Sequence, residues 1–195
     1  GIAQLSLNLA DIQVTPVHIA FDEACNRSQA RGIRVTGSEL VGLLPLRVLT
    51  DAADFYLTKQ ERSLGISDAE KVKIAVKSLG LDDLAPFNPQ ERVIEYIIAD
   101  KGATPLLEMD LKAFALETAS ESPAPGGGSI AAYAGALGTS LATMVANLSA
   151  HKRGWDDRWK EFSDIAVRGM ELQGKLLALV DADTAAFNGI MDAYG

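Results

Sequence analysis

Residues 123–150 read PAPGGGSIAAYAGALGTSLATMVANLSA, and how this run is read decides the fold. No charged residue occurs from Ser122 to Ala150, and dense charge resumes at Lys152. Small residues recur at one-turn spacing, Ala131 with Gly135 and Thr139 and Ala134 with Gly138 and Ala142. A helix with two such smooth faces lets its neighbours pack very close. The run is long enough to cross a bilayer but lacks Leu, Ile and Phe density, so the expectation is a buried helix in a soluble protein with no membrane span. Gly126, Gly127 and Gly128 permit positive φ and leave bare N–H groups, and Ser129 is placed to cap the helix. The helix start is therefore the expected anion site, with a ligand-free packing hinge as the competing reading.

Working outward, helical patterns fill 106–119 and about 157–193, which makes the second half an all-α bundle. The first half reads differently. Ile2, Leu5, Leu7 and Leu9 alternate with small or polar residues over 1–9, the period of a half-buried strand. Thr15 and Pro16 open a helix that Gly32 ends, and the Ile-, Val- and Leu-rich 33–43 reads as a second strand. Pro45 opens a further helix, and Ser67 caps a shorter one through Gly80. Pro86, Pro89, Pro105 and the break at Asp100-Lys101-Gly102 place a domain boundary near 99–106. The expected fold class is α+β: a small α/β, ferredoxin-like subdomain over 1–100, then the helical bundle over 106–195.

The 195 residues are 48% hydrophobic and carry a net charge of −8, with a pI near 4.8. That supplies a real core and argues against an electrostatic grip on nucleic acid. One cysteine, Cys25, precludes an internal disulfide and points to a reducing, cytoplasmic setting; no secretory leader is read at the start. His18 and His151 stand without a metal-ligand partner one turn away, and no metal is expected. Trp155 and Trp159 are read as seating the third helix.

The last helix carries the chemistry. Leu172, Leu176, Leu179, Val180, Phe187, Ile190 and Met191 form a helical stripe, and Asp183 falls inside it. Such a carboxylate is expected to be carried into the core, where burial suits a general acid or base, unless a cation or a helix N-terminus satisfies it structurally. Asp181 lies about 200° away around the helix and reads as a second candidate acid or a solvated one.

Three blocks side by side, VTGSELVGLLPL at 35–46, Leu79-Gly80-Leu81 with Leu84-Ala85-Pro86-Phe87, and Pro125-Gly126-Gly127-Gly128-Ser129, resemble formiminotransferase-cyclodeaminase over essentially the whole chain. The resemblance implies the C-terminal subdomain of a formiminotransferase half, followed by the beginning of a cyclodeaminase half. It further implies tetrahydrofolate as substrate and carrier and N-formimino-glutamate as formimino donor. The implied reactions are formimino transfer, then closure to 5,10-methenyl-tetrahydrofolate with release of ammonia. By the same resemblance a catalytic aspartate falls in the segment Leu179–Phe187, where the stripe favours Asp183 over Asp181. Gly126, Gly127, Gly128 and Ser129 would line the folate site, with Lys152 and Arg153 assisting at its mouth. The family's transferase histidine belongs to a segment preceding residue 1, so transfer is not expected of these residues alone. Asn8 and the Gly37-Ser38 turn are the positions expected to meet that segment. The cyclodeaminase part is expected to continue beyond residue 195. Smooth Ala/Gly faces suggest a homo-oligomer. The alternatives are a methenyltetrahydrofolate cyclohydrolase, which leaves 1–100 unexplained, and a non-catalytic helical assembly or folate-binding module.

Overall fold

The computed structural model describes residues 3–99 and 104–194. In chain order its helices are α1 (Val17–Gln29), α2 (Leu46–Lys59), α3 (Asp68–Ser78), the short α4 (Pro89–Arg92) and α5 (Ile94–Ile98), α6 (Leu111–Thr118), α7 (Gly127–Ala150) and α8 (Trp159–Tyr194), with one 3-10 turn at Asp156–Arg158. Two compact units result, Gly1–Gln60 with Ser67–Ala99, and Glu61–Ile66 with Asp100–Gly195. The expected Asp100-Lys101-Gly102 break and Ile2 lie outside the described residues.

The α+β expectation is corrected: among the described residues no strand forms, and the ferredoxin-like sheet is absent. Alternation alone does not make a strand, because a strand exists only through a partner that takes its backbone hydrogen bonds. Among the described residues, 3–9 and 33–43 pair with no strand, isolated bonds such as Ser38 N–H to the Gly80 carbonyl aside, and Leu5, Leu7, Ile33, Val41 and Leu43 stand exposed. What remains is one parallel bridge. Leu44 donates its N–H to the Arg92 carbonyl and accepts from Ile94 N–H, each at 3.0 Å.

The first unit is built around α2 and α3. Leu49, Ala52, Ala53 and Tyr56 of α2 face Val72, Ala75 and Val76 of α3, with Leu79, Leu81 and Val93 completing the core. Ser67 caps α3 by accepting Glu70 N–H at 3.3 Å. Thr15 does not cap α1, which starts at an N-cap Pro16 without a side-chain bond. The Gly37-Ser38 turn is fixed within this unit: Ser38 Oγ donates to the Leu79 carbonyl at 2.6 Å, and its N–H to that of Gly80 at 2.9 Å. His18 is buried and stacks on Phe55 at 4.6 Å, and its Nδ1 has no hydrogen-bond partner among the described residues.

The second unit is dominated by the antiparallel hairpin of α7 and α8. Its seam is a heptad pattern of small residues. Ser129, Ala136, Thr143 and Ala150 repeat every seven positions, with Ala132, Thr139 and Ala146 between them, and all but the half-buried Thr139 are buried. Ser163, Met170, Leu177 and Thr184 with Ala166, Gln173 and Val180 repeat the spacing on α8, buried or half-buried throughout. A seven-residue repeat keeps one seam facing the partner, and side chains this small bring the two backbones close. Of the two faces read as smooth, Ala134, Gly138 and Ala142 are exposed; of the other, Thr139 lies on the seam, Gly135 borders it and Ala131 is exposed. The buried-helix expectation thus holds on one face only. Leu137, Leu141, Met144, Val145 and Leu148 are exposed on the other, and α7 is long and apolar enough to cross a membrane by length and composition.

Glu61–Ile66 is strapped across this hairpin. Ser63 Oγ donates to Asn147 Oδ1 at 2.6 Å, Asn147 Nδ2 to the Gly65 carbonyl at 2.8 Å, and Leu64 N–H to Ser163 Oγ at 3.0 Å. A Cβ on Gly65 would lie 2.3 Å from the Ala166 carbonyl carbon, so only glycine passes there.

Candidate functional site

The Gly-rich turn opens α7 with Gly126 as N-cap and Pro125 buried behind it. Ser129 sits one turn in, on the seam, and is fully buried. It does not cap α7, as the sequence suggested. Its N–H donates to Asp183 Oδ2 at 2.9 Å, and its hydroxyl lies 2.8 Å from the Val180 carbonyl, 3.1 Å from Asp183 Oδ2 and 3.2 Å from Thr184 Oγ1. The cap is supplied from α8. Asp183 places a carboxylate where α7 has bare N–H groups and a positive dipole end, which satisfies one orphan donor.

Asp183 is not carried into a core. The residue is exposed, as are Leu179, Phe187, Ile190 and Met191 of the same stripe. Only its carboxylate edge is pinned, and it is pinned asymmetrically. Oδ2 takes the Ser129 contacts, while Oδ1 accepts no hydrogen bond among the described residues and lies directly over Gly128. A Cβ on Gly128 would stand 2.2 Å from Oδ1 and 2.5 Å from Cγ, so the missing side chain is the space the carboxylate occupies. Gly127 and Gly128 are exposed beside it.

Asp181 is placed differently. Its two oxygens accept Leu106 N–H at 2.9 Å and Leu107 N–H at 3.3 Å, tying the segment before α6 to α8. Leu106 then packs with Ala132 and Val180, and Phe114 and Tyr133 meet at 5.3 Å between ring centres beside them. Both acids were singled out from sequence; among the described residues one keeps an oxygen that accepts no hydrogen bond, and the other has both oxygens engaged.

The expected anion site at Gly126–Ser129 is thus occupied from within. A carboxylate already answers the helix N-terminus, so a second anion there meets repulsion, whereas a cationic or proton-donating group meets Oδ1. Lys152 and Arg153 cannot assist. They follow the opposite end of α7, and 24 residues at 1.5 Å rise put them about 35 Å from the glycines. Lys152 there lies 4.2 Å over the Trp155 ring, which stacks on Phe162 at 5.2 Å.

The first unit holds a separate polar cluster. Asp22 accepts Tyr56 Oη–H at 2.9 Å and Lys59 Nζ at 2.8 Å. Burial alone would raise the Asp22 carboxyl, but these two bonds outweigh it and hold the group below its ordinary range. Burial pushes His18 down, partly opposed by the charges of Asp51 and Asp22. These groups lock α1 to α2, and among the described residues no three His, Cys, Asp or Glu side chains converge as a metal cluster.

The formiminotransferase domain model matches residues 1–99, and the formiminotransferase-cyclodeaminase model matches 110–195. Formimidoyltransferase-cyclodeaminase of Gallus gallus is 41% identical over 197 residues, covering 99% of this chain and 36% of that protein. The Mus musculus protein of the same name is 41% identical over 194 residues, with the same two coverages. That of Dictyostelium discoideum is 34% identical over 197, covering 100% of this chain and 36% of its own length. The chain therefore spans about a third of the curated relatives it matches.

Proposed function

The chain belongs to the formiminotransferase-cyclodeaminase family, and from that membership we propose that it is part of a bifunctional folate enzyme of histidine degradation. In this reading 1–100 form the C-terminal subdomain of the formiminotransferase half and 106–195 begin the cyclodeaminase half. The formimino group passes from N-formimino-glutamate to tetrahydrofolate, and the second half closes the product. A cyclohydrolase reading leaves the transferase match over 1–99 without a role.

In the closure, N10 of 5-formimino-tetrahydrofolate attacks the formimino carbon and forms the N10–C bond. With the formimino nitrogen protonated at the outset, N10 gives up its proton, the bond from that carbon to the nitrogen breaks, and the nitrogen leaves as ammonia with one further proton gained, the positive charge staying on the methenyl product. The N10 proton and the ammonia proton balance, so a single carboxylate serves both transfers in turn. We assign this role to Asp183. The observation that carries it is the free Oδ1 over Gly128, beside a second oxygen fixed by Ser129. The formimino group is cationic when protonated, and an ionised Asp183 attracts it where an anionic tail would be repelled. Asp181, with both oxygens engaged, is the anchor of Leu106 and Leu107.

The exposed stripe from Leu137 to Leu148 supports self-association, because a contiguous apolar helix face is costly in water. The single half-buried thiol of Cys25 supports a reducing, cytoplasmic setting.

The test is Asp183→Asn in the full-length protein. Ammonia release from 5-formimino-tetrahydrofolate should fall by about 10²–10⁴-fold with the melting temperature retained. Wild-type turnover in that variant refutes the assignment.

A further inference from the structure

Ser129 has one hydroxyl proton and three oxygen neighbours. The Val180 carbonyl lies at 2.8 Å, Asp183 Oδ2 at 3.1 Å and Thr184 Oγ1 at 3.2 Å, all around a side chain with no solvent exposure. A carbonyl and an ionised carboxylate both only accept, so they compete for the same proton, and water cannot enter to settle the competition. Each acceptor keeps a second partner when the hydroxyl turns away. Oδ2 retains Ser129 N–H at 2.9 Å, and the Val180 carbonyl retains its i→i+4 bond inside α8. Thr184 Oγ–H can donate to Ser129 Oγ in either orientation.

We propose that the Ser129 hydroxyl is a two-position donor that follows the charge on Asp183, turning to Oδ2 when the carboxylate is ionised and to the Val180 carbonyl when it is protonated. This rests on the reading that Asp183 carries the proton in cyclodeamination. An acid that must take a proton and return it within one turnover cannot sit in a fixed hydrogen-bond set that favours one state strongly. A fixed pair of donors to Oδ2 would hold the ionised form and resist proton uptake; a single N–H would give it less support when charged. The rotor supplies the second donor only while the charge is present. Proton traffic runs through Oδ1, which Gly128 leaves open, and Oδ2 serves as the sensing oxygen. Ser129 is a positioning residue and touches no substrate, since it is buried behind the carboxylate.

The groups facing Asp183 are Ser129 and Gly128 from α7 and Thr184 and Val180 from α8. Among the described residues no ion pair includes Asp183, and Asp181 on the same helix is turned to Leu106 and Leu107. Ser129→Ala keeps the N–H bond and removes only the moving donor.

The experiment measures kcat and KM for cyclodeamination across pH in the full-length protein for Ser129→Ala and Ser129→Cys, with Asp183→Asn alongside. Ser129→Ala should lose about tenfold in kcat, the size of one lost hydrogen bond to a charged group, with KM within about twofold. The acid limb of its rate profile should move to higher pH, because the ionised carboxylate has lost a donor. Ser129→Cys, a weaker donor of similar volume, should fall between Ala and wild type in both respects. A wild-type limb in Ser129→Ala overturns the rotor, whether kcat is unchanged or merely lowered, and so does Ser129→Cys behaving as Ser129→Ala does. Asp183→Asn separates the two claims: its retained activity overturns the catalytic reading itself, while its loss beside an unshifted Ser129→Ala overturns the rotor alone.

Discussion

Gly128→Ala is the sharpest probe of the site, because two physical effects of opposite sign meet at that position. Alanine in place of glycine in a helix gains up to about 1 kcal/mol, less in the first turn. Against this, the new Cβ would lie 2.2 Å from Asp183 Oδ1, 2.5 Å from Cγ and 2.7 Å from Oδ2. An ordinary carbon–oxygen contact needs roughly 1 Å more, so the carboxylate must retreat by about that distance. The 2.9 Å bond from Ser129 N–H then opens to nearly 4 Å and ceases to be one. A lost bond to a charged acceptor costs about 1.5–3 kcal/mol, and the lower figure applies because Asp183 is exposed. Gly138→Ala is the reference: it is exposed on the same helix, with nothing within 4 Å of its Cβ, and should show the propensity gain alone. The two variants should therefore differ by about 1.5–2 kcal/mol, or roughly 3–8 °C in melting temperature. Turnover should separate further, since a 1 Å displacement of a reacting group costs on the order of 10²-fold. Calorimetry and an ammonia-release assay on both full-length variants make the comparison. If Gly128→Ala is as stable and as active as Gly138→Ala, the carboxylate does not stand over Gly128, and the argument for Oδ1 falls with it.

Two further outcomes test the units separately. Gly65→Ala drives a Cβ to 2.3 Å from backbone of α8 at Ala166, so the strap must lift and the α7–α8 hairpin should lose about 1–3 kcal/mol, seen as earlier proteolysis between Gly127 and Tyr194; unaltered proteolysis would show that the strap is dispensable. His18 has a folded pKa below its ordinary 6.5, so the unfolded chain binds a proton first as pH falls, and stability present above about 6.5 is lost on descent through the folded value. His18→Phe, which keeps the stack on Phe55, should lessen the fall in melting temperature between pH 7 and 5, the remainder belonging to His151, which burial also pushes down; a slope equal to wild type would assign that pH dependence elsewhere.

Much of the helical order was legible because it rests on local chemistry. Ser67 caps α3 where a serine before Asp68 and Glu70 should, and Pro45 before α2 marks a start that φ alone favours, whereas Pro89, read only as part of a break, opens the short α4. The strands failed for the opposite reason. Leu5 and Leu7 alternate as a strand would, but alternation reports a face and not the partner whose carbonyls complete it. The α7–α8 seam was only partly found because small residues were followed at four-residue spacing, a row that drifts around the helix: Gly135 and Thr139 reach the seam, while Ala131, Ala134, Gly138 and Ala142 stand exposed and Ser129, Ala132, Ala136, Thr143 and Ala146 are the buried positions. A count by sevens of small residues, instead of by fours, would have found it.

The site shows where such reading stops and why. Asp183 was found because it interrupts a stripe, yet the reason given, burial, is not the one the structure supplies. Its carboxylate is held at an exposed edge by a serine 54 positions earlier, a separation no periodicity connects. The expectation that Lys152 and Arg153 stand near the glycines fails on helix length alone, since one unbroken run from Gly127 to Ala150 holds its two ends about 35 Å apart within the chain. The glycines and the acid make sense only together. Three glycines would leave three bare donors, a solvated aspartate would need none, and it is the absence of a side chain on Gly128 that lets one carboxylate cap α7 with one oxygen while offering the other. A turn read as waiting for an external anion holds an internal one instead, and a carboxylate mounted that way favours a cationic or proton-bearing group over a second anion, which is the property the proposed role of Asp183 draws on.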